Sequence, residues 1–327
     1  MAAPAATTVS RIWVGDADSG LGTRVLSRLA DLERFAPGSP GDCDVVIHLG
    51  PGDHDTRARR GESLTEGTSV LLAEASRSSA RHLVLVSSAM VYGAWANNPV
   101  PLTEDAVLRP DVEFTYARQL GAVEQMADDW RTAAPGRTVT VLRPVVAMAS
   151  DGTSGLARAL AAGMGQRFGE DDPPAQFLHL DDLASAVALA ADRRLDGVFN
   201  VAPDGSIPAE SVRALAGARP RLKLPDRLAE VIGRLRWQFQ RGPIPPGLRS
   251  YTRSPWLVAN DRLKATGWRP TVTNEQAYVE GTEAKWWTMV TPKRRQELTF
   301  AAMGAVAVLI AGVIALVVRR RHRRRQS

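Results

Sequence analysis

Residues 10 to 32 read SRIWVGDADSGLGTRVLSRLADL: a short apolar strand, a glycine-bearing turn and an amphipathic helix. No other stretch limits the fold so sharply. A strand (Arg11 to Val14) that passes through glycines into a helix (to about Leu32) opens a βαβ unit, the start of a dinucleotide-binding fold. The helix N-terminus can hold a pyrophosphate because its free N–H groups and its dipole face the anion. Gly15, Gly20 and Gly22, with Leu21 between the last two, are the candidate cofactor-binding residues. Their spacing, G-x-x-x-x-G-x-G, is not the usual fingerprint. With Gly22 as the last glycine, the two earlier motif positions fall on Asp16 and Ser19. Asp16 and Asp18 then put negative charge where a pyrophosphate would sit. A nucleotide cradle and an ordinary tight turn both stay open at this point.

The next apolar strand runs from Asp44 to Leu49. Only ERFAPGSPGDC, rich in Gly and Pro, separates it from the first helix. A standard half of such a fold places a second strand and helix here, with an acid about twenty residues past the glycines for the adenosine ribose. Asp42 has that distance but falls in a loop. The adenosine side of the site is therefore expected to be shortened.

The formal net charge is +6, from 41 basic and 35 acidic residues. Residues 319 to 327, RRRHRRRQS, hold six of the arginines and no acid, so the remaining 35 basic residues balance the 35 acidic ones. Basicity is a property of the tail, and a nucleic-acid partner for the body loses its support. Cys43 is the only cysteine, which excludes a disulfide framework within one chain and reads as buried packing.

Before that tail, Phe300 to Val318 (FAAMGAVAVLIAGVIALVV) is free of charge. At 1.5 Å per residue it spans about 28 Å as a helix, the hydrocarbon thickness of a bilayer. The first residues, MAAPAATTVSRIWVG, lack the apolar run of a secretory signal. The expectation is a domain over 1–298 on the cytoplasmic side, a membrane helix over 299–318 and a basic tail over 319–327. Trp286 and Trp287 are suited to the membrane interface.

Further along come SSAMVYG (87–93), TYARQLGAVEQM (115–126), VLRP (141–144), HLDDLA (179–184) and LKATGWRP (263–270). In wording and order, over about residues 10 to 283, the chain resembles the extended short-chain dehydrogenase/reductase family, in its NAD-dependent epimerase/dehydratase branch. The resemblance implies an α/β, Rossmann-like, doubly wound parallel sheet with a smaller C-terminal substrate subdomain, mainly from about residue 145. It implies NAD or NADP as cofactor and a small-molecule substrate. It assigns catalytic roles to Ser88, which would hydrogen-bond the substrate, and to Tyr116, which would exchange a proton with it. The family also carries a lysine four residues after the tyrosine, which holds the nicotinamide ribose and lowers the tyrosine pKa. Position 120 here is leucine.

That departure matters physically. An unperturbed tyrosine, with a pKa of about 10, is a poor base at neutral pH, and a nearby cation is what favours its anion. Residues i and i+4 share a helix face, so Leu120 stands where the cation would be. Tyr116, Leu120, Val123, Ala127 and Trp130 also form an apolar stripe, and Tyr116 reads equally as packing. Ser88 reads equally as a turn hydrogen-bonder, and Gln119 is within reach of a ribose hydroxyl. Arg143, at a strand end, would meet either a phosphate or an internal carboxylate. In HLDDLA, His179, Asp181 and Asp182 suggest an aspartate capping a helix rather than a metal site. His48 reads as a satisfied core histidine, and Trp268 as packing. Arg234, Arg236 and Arg241 lie in a stretch (222–255) that would cover the substrate pocket. Two functions follow. One is a membrane-anchored oxidoreductase or epimerase acting on a nucleotide-sugar or lipid-linked substrate. The other is a catalytically inactive binding or regulatory module at the membrane.

Overall fold

The computed structural model describes residues 10–32, 34–50, 64–164, 172–216 and 246–282, all within one compact unit. The apolar run at 300–318, the basic tail, Trp286, Trp287 and the arginines at 234, 236 and 241 lie outside them. No helix among the described residues is long and apolar enough to cross a membrane.

Strand β1 (Ser10–Gly15) leads into helix α1 (Gly20–Ala30), followed by β2 (Phe35–Pro37), β3 (Val45–His48), α2 (Leu64–Arg77) and β4 (His82–Val86). Helix α3 (Thr115–Thr132), β5 (Thr138–Pro144), β6 (Val146–Met148), α4 (Gly155–Gly163), β7 (Phe177–His179), α5 (Leu180–Arg193), β8 (Gly197–Val201) and α6 (Ala209–Leu215) come next. After the 3-10 turns Pro246–Leu248 and Ser250–Thr252, short helices α7 (Asp261–Ala265) and α8 (Asn274–Gly281) complete the order.

Six strands form a parallel sheet in the order β2-β1-β3-β4-β5-β8. The central strands are apolar on both faces because both faces are covered. Two separate clusters of buried side chains show this. Val25 and Leu29 of α1 share a core with Ala186, Val187 and Ala190 of α5 on one face. Leu71, Leu72 and Ala75 of α2 share another with Val123, Ala127 and Trp130 of α3. This is the doubly wound arrangement. A second, two-stranded parallel sheet, β6-β7, packs with α8 through Phe177 and Tyr278, whose rings lie 4.8 Å apart.

A second strand does exist where none was legible. Phe35–Pro37 pairs with Ser10 to Ile12, and Gly38 N donates to Ile12 O at 2.7 Å. A proline, which has no N–H to give, is tolerated there because β2 is an edge. No strand or helix intervenes among the described residues between β2 and β3, so the first half of the fold is nevertheless short. Asp42 does not end β2. It sits in a tight Ser39–Asp42 turn and is ion-paired to Arg11.

Candidate functional site

In open parallel sheets, ligands bind beyond the carboxyl ends of the strands, where the strand order reverses. Here β1 is flanked by β2 and β3, and the chain leaves β3 and β4 on that edge. A cleft of about 260 Å³ opens there. Ser19, Gly20 and Leu21 line it from α1, Ser87 and Ser88 from the end of β4, and Tyr116 from the start of α3. Leu156, Ala157 and Leu160 of α4 and Trp256 supply an apolar wall. Trp256 is held by an Nε1–H bond to Tyr251 O at 2.9 Å, and Tyr251 donates to Met90 O at 2.7 Å. Among the described residues lining the cleft, none carries an ionisable acid or base other than tyrosine.

The predicted site residues do not all share this place. Gly15 closes β1 without lining the cleft. Gly20 and Leu21 line it, while Gly22 lies just behind, where a side-chain carbon would come within 2.5 Å of the Asp16 and Ala17 carbonyl oxygens. Gly22 thus lets the turn and helix approach closely. Asp16 adopts a left-handed φ of 56°, the conformation that glycine takes without strain. Ser19 caps α1, its Oγ accepting from Gly22 N at 2.9 Å.

This turn does not fit a pyrophosphate well. A side-chain carbon on Gly20 would lie 2.8 Å from the Cα of Gly152, so the backbone of the loop between β6 and α4 crowds the first turn of α1. The nearest arginine is already engaged. Arg24 Nε donates to Asp181 Oδ1 at 2.7 Å, its Nη1 donates to Gly20 O at 2.8 Å, and its Nη2 pairs with Asp151. Its charge is met by two carboxylates before any phosphate arrives.

Ser88 and Tyr116 both line the cleft. Ser88 also caps the 3-10 turn Ala89–Tyr92, its Oγ accepting from Met90 N at 3.2 Å. The turn hydrogen bond is therefore made, by a residue that also lines the cleft. Tyr116 is half-buried, its ring 5.7 Å from Phe114. Burial pushes its phenol above the ordinary tyrosine pKa, the opposite of what a proton acceptor needs. Leu120 is buried with 1% of its surface exposed, and it offers neither charge nor donor. Gln119 is not among the lining residues.

Arg143, at the end of β5, meets an internal carboxylate: its Nη2 and Nε donate to Glu124 at 2.6 and 3.1 Å. Ser87 donates to the same carboxylate at 2.5 Å. On its other side Arg143 donates to the Tyr92 hydroxyl at 2.8 Å, and Tyr92 donates to Asn200 Oδ1 at 2.7 Å. Ser87, Tyr92 and Glu124 escaped the sequence reading. The available signal was a glutamate set inside the apolar stripe of α3, one turn past Leu120.

His179, rather than an aspartate, caps α5, with Nδ1 accepting from Asp181 N at 3.2 Å. Asp182 instead accepts from Thr271 N and Val272 N, each near 3.0 Å, and so ties α5 to the segment before α8. Its cap role is corrected because its carboxylate points at those amides. Trp268 packs there, donating to Ser185 Oγ at 3.0 Å. His48 bonds Thr68 Oγ1 at 3.0 Å, and burial lowers its pKa to about 4. Cys43 is fully buried.

Residues 26–202, just over half of the chain, match the model of the NAD dependent epimerase/dehydratase family. Among solved structures, RMD from Pseudomonas aeruginosa complexed with NADPH superposes with a TM-score of 0.61 at 20% identity, over 86% of this chain and 100% of that one. UDP-glucose 4-epimerase from Thermus thermophilus in complex with NAD gives 0.57 at 16% identity, over 83% and 97%. At such identities the likeness establishes the fold. Uncharacterized proteins of Mycobacterium bovis and Mycobacterium tuberculosis are each 28% identical over 187 residues, 55% of this chain and 49% of theirs. The chain thus spans about half the length of the curated relatives it matches.

Proposed function

The chain belongs to the NAD-dependent epimerase/dehydratase family, and on that premise we propose that it is a membrane-anchored, divergent member serving as a ligand-binding module. NAD or NADP is the cofactor class that the family and its nucleotide-bound neighbours favour. The residues present fit it only in part. The apolar wall with Ser88 and Tyr116 suits a neutral ring, whereas the Asp16 turn, the Gly152 loop and the engaged Arg24 disfavour a pyrophosphate. Binding is therefore weak. When bound, such a group supplies hydride chemistry, and this chain's own part would be to hold and orient it beside Ser88 and Tyr116.

One observation carries the functional reading: Tyr116 is made less acidic by burial, with a buried leucine where the family has lysine. A phenol in that state donates a hydrogen bond and orients a ligand, but it does not take up a proton at neutral pH. Anchoring rests on the apolar run at 300–318, which would hold the domain at the cytoplasmic face of the membrane. Titration of the 327-residue protein in detergent with NAD(H) and NADP(H) by calorimetry tests the proposal. Weak binding without turnover is expected. Micromolar binding with brisk turnover would replace it with the second reading, an oxidoreductase or epimerase for a nucleotide-sugar or lipid-linked substrate. That reading is favoured by Ser88 and Tyr116 lining the same cleft.

A further inference from the structure

Arg24, one turn into α1, ties three parts of the fold together. Its Nη1 donates to Gly20 O at 2.8 Å, its Nε donates to Asp181 Oδ1 on α5 at 2.7 Å, and its Nη2 pairs with Asp151. The first two partners belong to helices. Asp151, with 75% of its side-chain surface exposed, belongs to the strap 149–154 that joins β6 to α4. Thr153 Oγ1 accepts from Ala149 N at 2.9 Å and Ser154 Oγ accepts from Ala157 N at 3.0 Å. Those bonds stay within the strap and α4, whereas Asp151 reaches across to α1. Beside it, Gly152 lies so close to Gly20 that a side-chain carbon on Gly20 would be 2.8 Å from the Gly152 Cα. Gly20 opens the helix end at which a pyrophosphate would be received. The strap then runs into α4, whose Leu156 and Ala157 wall the cleft.

We propose that Arg24 and Asp151 form the latch of an autoinhibitory strap, which holds Gly152 on the first turn of α1 and must swing away before a dinucleotide can seat. The inference rests on the cleft being a dinucleotide site and assigns what keeps it closed. Opening strands no charge. Arg24, with 19% of its side-chain surface exposed, keeps Asp181 as its partner, and the exposed Asp151 carboxylate passes into water. A single partly exposed ion pair therefore separates the two positions of the strap, and such pairs are weak enough to exchange. A ligand that binds only the open form has its affinity reduced by the fraction of the chain that is open. The weak dinucleotide binding expected of this cleft then has a source in the strap, beyond the composition of the turn itself.

A latch and a plain charge effect predict opposite signs at Arg24. As a cation near the turn, its loss would weaken binding of an anionic dinucleotide. As a latch, its loss frees the strap and tightens binding. NADH is titrated by calorimetry into the 327-residue protein in detergent, as wild type, Arg24→Met, Asp151→Ala and the double variant. Each single variant is expected to bind NADH at least about threefold more tightly than wild type, with the double variant no tighter than either, because one latch opens only once. Without ligand, hydrogen exchange at the amides of residues 150–154 should quicken in all three variants. Asp151 is exposed, so Asp151→Ala keeps the test valid if Arg24→Met, which also gives up the Asp181 pair, folds poorly. Weaker or unchanged binding in a folded Arg24→Met, additive gains in the double variant, or unchanged exchange in Asp151→Ala overturns the latch. If the wild type binds NADH and no variant binds it more tightly, the strap alone is refuted. If none of the four proteins binds NADH, the dinucleotide reading falls and the inhibitory strap falls with it.

Discussion

Tyr116 and Leu120 stand one turn apart on α3, and the pair decides what proton chemistry the cleft can do. With its phenol pushed up by burial, Tyr116 is protonated throughout the physiological range. General acid–base help is typically worth about 10² to 10⁴ in rate, so losing a residue that does not provide it should matter little. Tyr116→Phe is expected to change any NAD(P)-dependent rate by less than about tenfold, as read in a steady-state assay. Abolition of a brisk rate would show that the tyrosine works after all. Asp16 offers a second handle. It combines a left-handed φ of 56° with a charge beside the helix N-terminus. Asp16→Gly should relieve strain of up to about 1 kcal/mol, seen as a higher urea midpoint. It should also tighten NAD(H) binding about fivefold by removing a nearby like charge. Unchanged affinity would mean that the Gly152 loop, not the charge, limits the turn.

Between elements, buried polar contacts do the joining, and they are what a reading of the sequence misses. Arg143 on β5 and Glu124 on α3 have 6% and 8% of their side-chain surfaces exposed. Arg143→Met leaves the carboxylate without its cation and should cost about 3–5 kcal/mol in chemical denaturation. Adding Glu124→Leu should recover much of that, and a double variant no better than the single would sink the account. His82 joins β4 to β5 and α5 through Thr138 Oγ1 at 2.9 Å and Ala190 O at 3.2 Å. Burial lowers its pKa from 6.5 to about 4. The unfolded chain then binds its proton more tightly than the folded one. The stabilisation is complete above about pH 6.5 and is lost as pH falls towards 4, by about 3 kcal/mol at most. His82→Gln should flatten the fall of the urea midpoint between pH 7 and 4, and an equal fall in both proteins would refute it. The strands at 44–49 and 82–86, the turn into α1 and the stripe of α3 were legible because period and apolar runs are local. β2 was not, since Phe35–Pro37 is a strand only through its neighbour Ser10 to Ile12. Nor was the link from Ser87 to Glu124, 37 residues on, or that from Arg24 to Asp181, 157 residues on. Nothing local marks which of several carboxylates a distant donor will find.

For the molecule as a whole, charge and hydropathy separate cleanly along the chain. Outside residues 319–327 the basic and acidic residues balance, so the body has no electrostatic pull of its own towards an anionic surface. The nineteen uncharged residues from Phe300 to Val318 reach about 28 Å as a helix, against about 30 Å of bilayer hydrocarbon. On the proposed anchoring, two terms are separable: burial of the apolar run, and attraction of the arginines to anionic headgroups at about 1 kcal/mol each. Salt screens the second and leaves the first untouched. Deleting residues 299–327 should move the protein from the membrane pellet to the soluble fraction. Replacing only the six arginines by glutamine should leave it in the pellet through a high-salt wash. Fractionation followed by immunoblotting reads both variants. If the deleted form stays with salt-washed membranes, the anchor lies elsewhere. If the arginine variant washes off, the association is electrostatic, and the apolar run does not hold the protein in the bilayer.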